Sequence, residues 1–191
     1  YCSNFKSLTL SENLTSIGSN AFYYCSGFTS NLVIPNSVTT IDSYAFYNCS
    51  GFKSLTLSES LTSIASNTFY GCTGFSGDLV IPNSVTTIGN YAFYNCRGFN
   101  GTLTLSESLT SIGTYAFSSS SSSYPMHFKG DLMIPNSVTS IGSNAFQYCS
   151  YFDGSLILSE NLTSIATYAF NNCSGFTGSL TIPGKVTSTG N

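Results

Sequence analysis

The chain has 191 residues, a net charge of -3 and only 7% charged side chains, which excludes the basic footprint of a nucleic-acid binder and a polybasic patch for a membrane surface. No apolar run approaches the ~20 residues that cross a bilayer, and no charged-then-apolar leader opens the sequence. Ser, Thr, Asn and Gly are abundant, but 15 Phe in a regular apolar pattern argue for an ordered chain rather than a low-complexity one.

Order comes from a repeat. The Phe of the Ala/Thr-Phe pair recurs at Phe22, Phe46, Phe69, Phe93, Phe117, Phe146 and Phe170, in steps of 24, 23, 24, 24, 29 and 24 residues. A fixed period of this size marks a solenoid, whose units are too small to bury an apolar face alone and must stack. Units begin at Leu8, Leu32, Leu55, Leu79, Leu103, Leu132, Leu156 and Leu180, giving eight coils with the first and last partial. The single array, residues 1–191, begins and ends partway through a unit, so it is expected to be a segment of a longer protein or to have its ends covered by other copies.

Within a coil, the apolar-X-apolar run at Leu32-Val33-Ile34 predicts a short strand with one face buried, and stacked coils would line these strands into a parallel sheet spaced ~4.8 Å apart. The run ends in Pro-Asn-Ser-Val (Pro35, Pro82, Pro135) or Ser-Glu-Asn/Ser-Leu (Glu12, Glu59, Glu107, Glu160), alternating coil by coil, so the true unit is a pair of about 48 residues. A second extended run follows, as in Val38-Thr39-Thr40-Ile41. Then Ser19, Ser43, Ser66, Asn90, Thr114, Ser143 or Thr167 supplies capping chemistry, and a Gly closes the segment at Gly27, Gly51, Gly74, Gly98 and Gly175. That spacing predicts one or two helical turns held by packing. Phe5, Phe28, Phe52, Phe75, Phe99, Phe128, Phe152 and Phe176 make a second column, so two spines of stacked rings are expected to fill the core.

Two coils depart from the pattern. Phe117 and Phe128 stand eleven residues apart where other coils have six, which predicts a looped insertion at residues 118–127 with a flexible Ser run. In the last coil Gly184-Lys185 replaces Asn-Ser and Thr189 replaces Ile, which predicts that register or order is lost there.

Leu132 through Cys149, reading LMIPNSVTSIGSNAFQYC, resembles the BspA-like class of leucine-rich repeats at every fixed position of that unit. The resemblance covers essentially the whole chain and departs from the family's pattern in the Ser-Glu coils, which lack Pro, and in the Ser-rich insertion. It implies a mainly β, right-handed leucine-rich-repeat coil of about eight units of 23–24 residues. It also implies a surface-exposed or secreted adhesin-type protein with no catalytic residues, whose binding residues vary with the ligand.

No residue pattern calls for catalysis, a cofactor or a metal. Cys25, Cys49, Cys72, Cys96, Cys149 and Cys173 hold one repeat position, with Cys2 plausible one coil earlier and Ser120 in the interrupted coil. Identical positions without CxxC or paired His read as a column of small buried thiols rather than a disulfide or metal ladder. His127, the only histidine, reads as a loop residue, and the four repeat Glu as solvated turn charges. Thr15, Thr39, Thr62, Thr86, Thr110, Thr139, Thr163 and Thr187 form a rank resembling the arrays of ice-binding solenoids. The second hydroxyl is adjacent in sequence and should point elsewhere, so hydroxyl ladders between coils are expected instead.

Two columns are candidates for partner binding. The outward strand positions Thr9, Val33, Thr56, Val80, Thr104, Met133, Ile157 and Thr181 include four aliphatic or Met residues that would face water. Tyr23, Tyr47, Tyr70 and Tyr94, with Tyr44, Tyr91, Tyr115 and Tyr168 nearby, are either an interface or partly buried packing. Sequons at Asn13, Asn48, Asn100, Asn161 and Asn172 lend modest support to secretion. Together these features predict a non-catalytic extracellular or cell-surface module binding a protein or glycan, without nucleic acid and without membrane insertion by this segment. A structural fibre of solenoids stacked end to end is the alternative expectation.

Overall fold

The computed structural model describes residues 3–190, so Cys2 lies outside the described residues. The described residues wind into stacked coils that contribute fourteen strands, each two residues long. The first apolar run of successive coils gives β2 (Leu32–Val33), β4 (Leu55–Thr56), β6 (Leu79–Val80), β8 (Leu103–Thr104), β10 (Leu132–Met133) and β12 (Leu156–Ile157). The second run gives β1 (Ser16–Ile17), β3 (Thr40–Ile41), β5 (Ser63–Ile64), β7 (Thr87–Ile88), β9 (Ser111–Ile112), β11 (Ser140–Ile141), β13 (Ser164–Ile165) and β14 (Ser188–Thr189).

Every pairing is parallel and joins equivalent positions of neighbouring coils, such as Leu32 with Leu55 and Val33 with Thr56. Period-two alternation explains the result: the Leu of the first run and the Ile of the second turn inward, and the residue beside each turns out. The ladders of the first rank, β2–β4, β6–β8 and β10–β12, each join a Pro coil to the Ser-Glu coil after it. The two-coil unit is therefore structural.

Hydrogen bonds show what makes it so. Asn36, Asn83 and Asn136 of the Pro coils each accept the backbone N–H of Glu59, Glu107 and Glu160 in the next coil, all at 2.9 Å. Ser58 and Ser159, standing where the Pro coils carry proline, are buried and donate their hydroxyls to the carbonyls of Val38 and Val138 at 2.6 Å. In the other direction, Ser37 and Ser84 donate to the Leu14 and Leu61 carbonyls at 2.7 Å. Proline cannot donate, so an Asn and a Ser beside it carry the bonds between coils.

The segment after the second run departs from expectation: among the described residues it holds no helix, only linked turns. The residue after each expected cap is left-handed, at Asn20, Tyr44, Asn67, Tyr91, Tyr115, Asn144 and Tyr168, with φ near +60°. A helix needs unbroken right-handed residues, so it cannot propagate through that point. The N–H groups instead alternate: Ala45, Tyr47 and Cys49 donate back three residues to Asp42, Tyr44 and Phe46, while Tyr44, Phe46 and Asn48 donate to Ser66, Thr68 and Tyr70 of the next coil. Half the turn's donors thus bind one coil to another.

Inside, the two phenylalanine columns stack as expected. Ring centroids in the first column lie 5.1–5.6 Å apart from Phe22 to Phe170. The second runs from Phe28 to Phe176 at 4.9–6.3 Å. The columns meet edge to face within a coil, as Phe46 meets Phe52 at 6.3 Å. Phe5, in the first described coil, is 64% exposed.

The insertion is anchored on both flanks. Ser118 and Ser119 are buried, with Ser119 Oγ in hydrogen-bond reach of Asn95 Oδ1 at 3.1 Å and of the Tyr124 carbonyl. Met126 is fully buried in the core and its N–H donates to Tyr148 O at 3.0 Å. Ser120, at the thiol position of its coil, is exposed. In the last coil, β14 keeps register with β13, pairing Ile165 with Thr189, while Leu180 forms no strand and is exposed.

Two stability outcomes follow. Phe93→Ala opens a void between stacked rings and should lower the unfolding free energy by about 3 to 5 kcal/mol in urea melts, whereas Phe5→Ala should change it by under about 0.5 kcal/mol. Gly113→Ala places a Cβ 2.5 Å from the Gly89 carbonyl carbon, while Gly18 has nothing within 4 Å. The first substitution should destabilise by about 1 to 3 kcal/mol and the second should be tolerated, as read from the same melts.

Candidate functional site

The first strand rank builds a face on which inward Leu anchors each outward neighbour. Thr9, Val33, Thr56, Val80, Thr104, Met133, Ile157 and Thr181 are all exposed on it. Val33, Val80, Met133 and Ile157 are each 45–55% exposed, and the pairing sets Met133 beside Ile157 and Val80 beside Thr104. Apolar side chains at this exposure, in register along one face, form a ready contact strip. A groove of about 510 Å³ runs beside its end, lined by Ile157, Glu160, Thr181, Ile182 and Lys185 among others.

The Tyr column is a ladder. Tyr23, Tyr47, Tyr70 and Tyr94 stack at centroid distances of 5.0, 4.5 and 4.9 Å, half-buried throughout. Tyr91 stacks on Tyr115 at 4.9 Å and meets Tyr94 edge to face, so the ladder widens before it stops at Ser118. Burial, with neighbouring phenols second, pushes Tyr47 up to about 12 and also raises Tyr70 and Tyr94. Each inner ring has both faces covered by its neighbours, leaving edges and hydroxyls toward solvent.

The Thr rank is exposed along its whole length, while the strand residue beside it is exposed in some coils, as Thr40 is next to Thr39, and half-buried at Ser63 and Ser111. Thr39, Thr86 and Thr110 each use both the backbone N–H and the hydroxyl on one carbonyl of the preceding coil, the hydroxyl bonds being 3.3, 3.2 and 3.0 Å. These hydroxyls form the expected ladder between coils. Glu12, Glu59, Glu107 and Glu160 are exposed turn residues.

The cysteines form a column between the coils, buried at Cys25, Cys49, Cys72, Cys96 and Cys149 and half-exposed at Cys173. Five of the thiols donate to a phenylalanine carbonyl of the coil before: Cys49 to Phe22, Cys72 to Phe46, Cys96 to Phe69, Cys149 to Phe117 and Cys173 to Phe146, at 2.9–3.2 Å, whereas Cys25 faces the Tyr23 carbonyl of its own coil. This bond, which sequence reasoning did not anticipate, gives the column a reason to be thiol rather than alanine. Burial pushes Cys49 up to about 12 and raises Cys72, Cys96 and Cys149. Among the described residues no group of three His, Cys, Asp or Glu could hold a metal ion, and no helix is long and apolar enough to cross a membrane.

Of the sequons, Asn13, Asn100 and Asn172 are exposed, whereas Asn48 is half-buried and left-handed. Asn161 is half-buried, its Nδ2 donating to the Asn136 carbonyl at 2.7 Å.

Two ranks of short parallel strands, joined by linked turns around stacked phenylalanines, define a leucine-rich-repeat β-solenoid. The family model described as BspA type leucine rich repeat region matches residues 1–123 and 126–191, in six copies, and the chain belongs to that family. No curated protein matches the sequence closely enough to count as a relative. Among solved structures, a leucine-rich repeat protein from Bacteroides ovatus ATCC 8483 is 28% identical over 93% of this chain and 43% of its own, with a TM-score of 0.78. The T. pallidum leucine-rich repeat protein is 26% identical over 85% of this chain and 69% of its own, with a TM-score of 0.66. A leucine rich cell surface protein from Faecalibacterium prausnitzii A2-165 shares the fold at 22% identity, over 93% of this chain and 61% of its own, with a TM-score of 0.56. The chain thus spans less than half the length of the Bacteroides protein.

The raised thiol and phenol groups fix the sign of a pH effect. Folding favours their protonated forms, so their contribution is complete below the unfolded thiol value of 9.0 and is lost as pH climbs toward about 12. Urea midpoints should therefore hold steady from these groups up to about pH 9 and fall above it. In native protein at pH 8, an aromatic disulfide reagent should label half-exposed Cys173 before Cys72, Cys96 and Cys149, which should react only on unfolding.

Proposed function

We propose that the chain is a non-catalytic extracellular recognition module that presents its first strand face to a protein or glycan partner. The observation that carries this reading is the rank of exposed aliphatics, Val33, Val80, Met133 and Ile157, on a sheet whose backbone is already paired. A stacked scaffold holds such side chains at fixed spacing, so a partner meets a pre-organised surface with little ordering left to do. Membership of the BspA type repeat family and the likeness in fold to a cell surface protein support display outside the cell. Sparse charge supports contact made by shape and apolar area rather than by long-range steering.

A binding screen over immobilised matrix proteins and glycans, followed by Val80→Asp/Met133→Asp, tests the reading. The double variant should melt within a few degrees of the parent and bind the selected partner at least tenfold more weakly, equivalent to about 1.4 kcal/mol. Unchanged binding would remove the strand face from consideration. Linear filaments in electron micrographs would favour end-to-end assembly of solenoids instead.

A further inference from the structure

The position just before the second phenylalanine column is Gly27, Gly51, Gly74, Gly98 and Gly175 in the regular coils. A Cβ at Gly51, Gly74, Gly98 or Gly175 would fall 2.1–2.3 Å from a carbonyl oxygen of the preceding coil, so side chains are excluded. Two successive coils break the rule, with His127 and Tyr151 at that position, and they do so where the insertion ends. Their rings meet edge to face with centroids 4.6 Å apart. From the insertion itself, Tyr124 reaches back so that the Arg97 guanidinium lies 4.9 Å from its ring centroid.

These side chains enclose a cleft of about 450 Å³, which Gly98 and Pro125 also line, together with Thr73 and Ser123. The chain's only arginine and only histidine therefore converge with Tyr124 and Tyr151, which are 60% and 48% exposed. Among the described residues no carboxylate lines the cleft. The volume falls in the range of about 300 to 1,000 Å³ typical of small-ligand sites. A loop that interrupts a regular array and gathers Tyr and Arg has the composition of a binding centre, not of a solvated surface loop.

The chemistry narrows the ligand. An arginine in a pocket free of carboxylates offers a planar fork of donors that fits a carboxylate through two parallel bonds. Tyr124 and Tyr151 are not sandwiched between their own kind as the ladder rings are, so they can receive the apolar C–H face of a pyranose. Thr73 and Ser123 add hydroxyls suited to sugar hydroxyls. We propose that the cleft between Arg97, Tyr124, His127 and Tyr151 binds a carboxylated sugar of a glycan. This goes beyond the strand-face reading and stands even if that reading fails.

Calorimetric titration of the full chain with trigalacturonate and 3′-sialyllactose tests the site, with galactotriose and lactose as neutral counterparts and hexaglutamate as an acidic peptide. At least one carboxylated sugar should bind tenfold or more tightly than its neutral counterpart and than hexaglutamate. Arg97→Gln should erase that preference, Arg97→Lys should retain part of it, and Tyr124→Ala should weaken binding at least fivefold, each with an unchanged melting curve. Val80→Asp/Met133→Asp should leave this binding intact, which separates it from the strand face. No binding by any sugar, equal binding of acidic and neutral sugars, equal binding of hexaglutamate, or indifference to Arg97→Gln would each overturn the assignment.

Discussion

Everything in this molecule depends on how closely one coil can lie on the next. A unit of 23–24 residues cannot enclose its own phenylalanines, so each ring is buried only because a neighbour's ring lies about 5 Å above it. That spacing is set by backbone hydrogen bonds running from coil to coil, in the two strand ranks and in alternate N–H groups of the turns. The glycines mark where the approach is tightest. At Gly113 even one added carbon would meet the backbone beneath.

The same closeness explains the thiols. A buried position faces the preceding coil's phenylalanine carbonyl, which can accept a second bond beside the one it receives within its own turn, as Phe69 O does from the Cys72 N–H. A Cys fits the volume and supplies a weak S–H donor, as Cys96 does toward Phe69. Sharing of one acceptor recurs on the Thr rank, where an N–H and a hydroxyl converge on one carbonyl. Side chains thus reinforce the backbone ladder at positions where two-residue strands provide few bonds of their own.

The strands, the aromatic spines and the alternating coil types were legible in the sequence because each leaves a periodic apolar or proline signal. The turn segment was not. Capping residues followed by Gly read equally as a short helix or as linked turns, and only φ at the next residue decides. Asn at that position hints at a left-handed turn, but Tyr44, Tyr91, Tyr115 and Tyr168 adopt it too, against the usual preference of a bulky residue. The rings of Tyr44, Tyr91 and Tyr115 lie among neighbouring tyrosines, so tertiary contact overrides local preference there. The role of Asn36 and its equivalents was also hidden, because a side chain capping the next coil acts across 23 or 24 residues.

A perfect repeat is a poor carrier of specificity, since every coil offers nearly the same surface and a partner could bind in several registers. The strand face shows this: its Thr and aliphatic positions alternate with the two-coil unit from Thr9 to Met133, and the order reverses only at Ile157 and Thr181. The interrupted coil is different in kind. Five extra residues there leave the stack, release the glycine column from its steric rule, and let His127 and Tyr151 stand where no side chain fits in the regular coils. The array thus supplies rigidity and contact area, and its single irregularity supplies the one place where unlike chemical groups meet. A ligand that engaged both would be held in one register, because only one of the stacked coils carries the arginine.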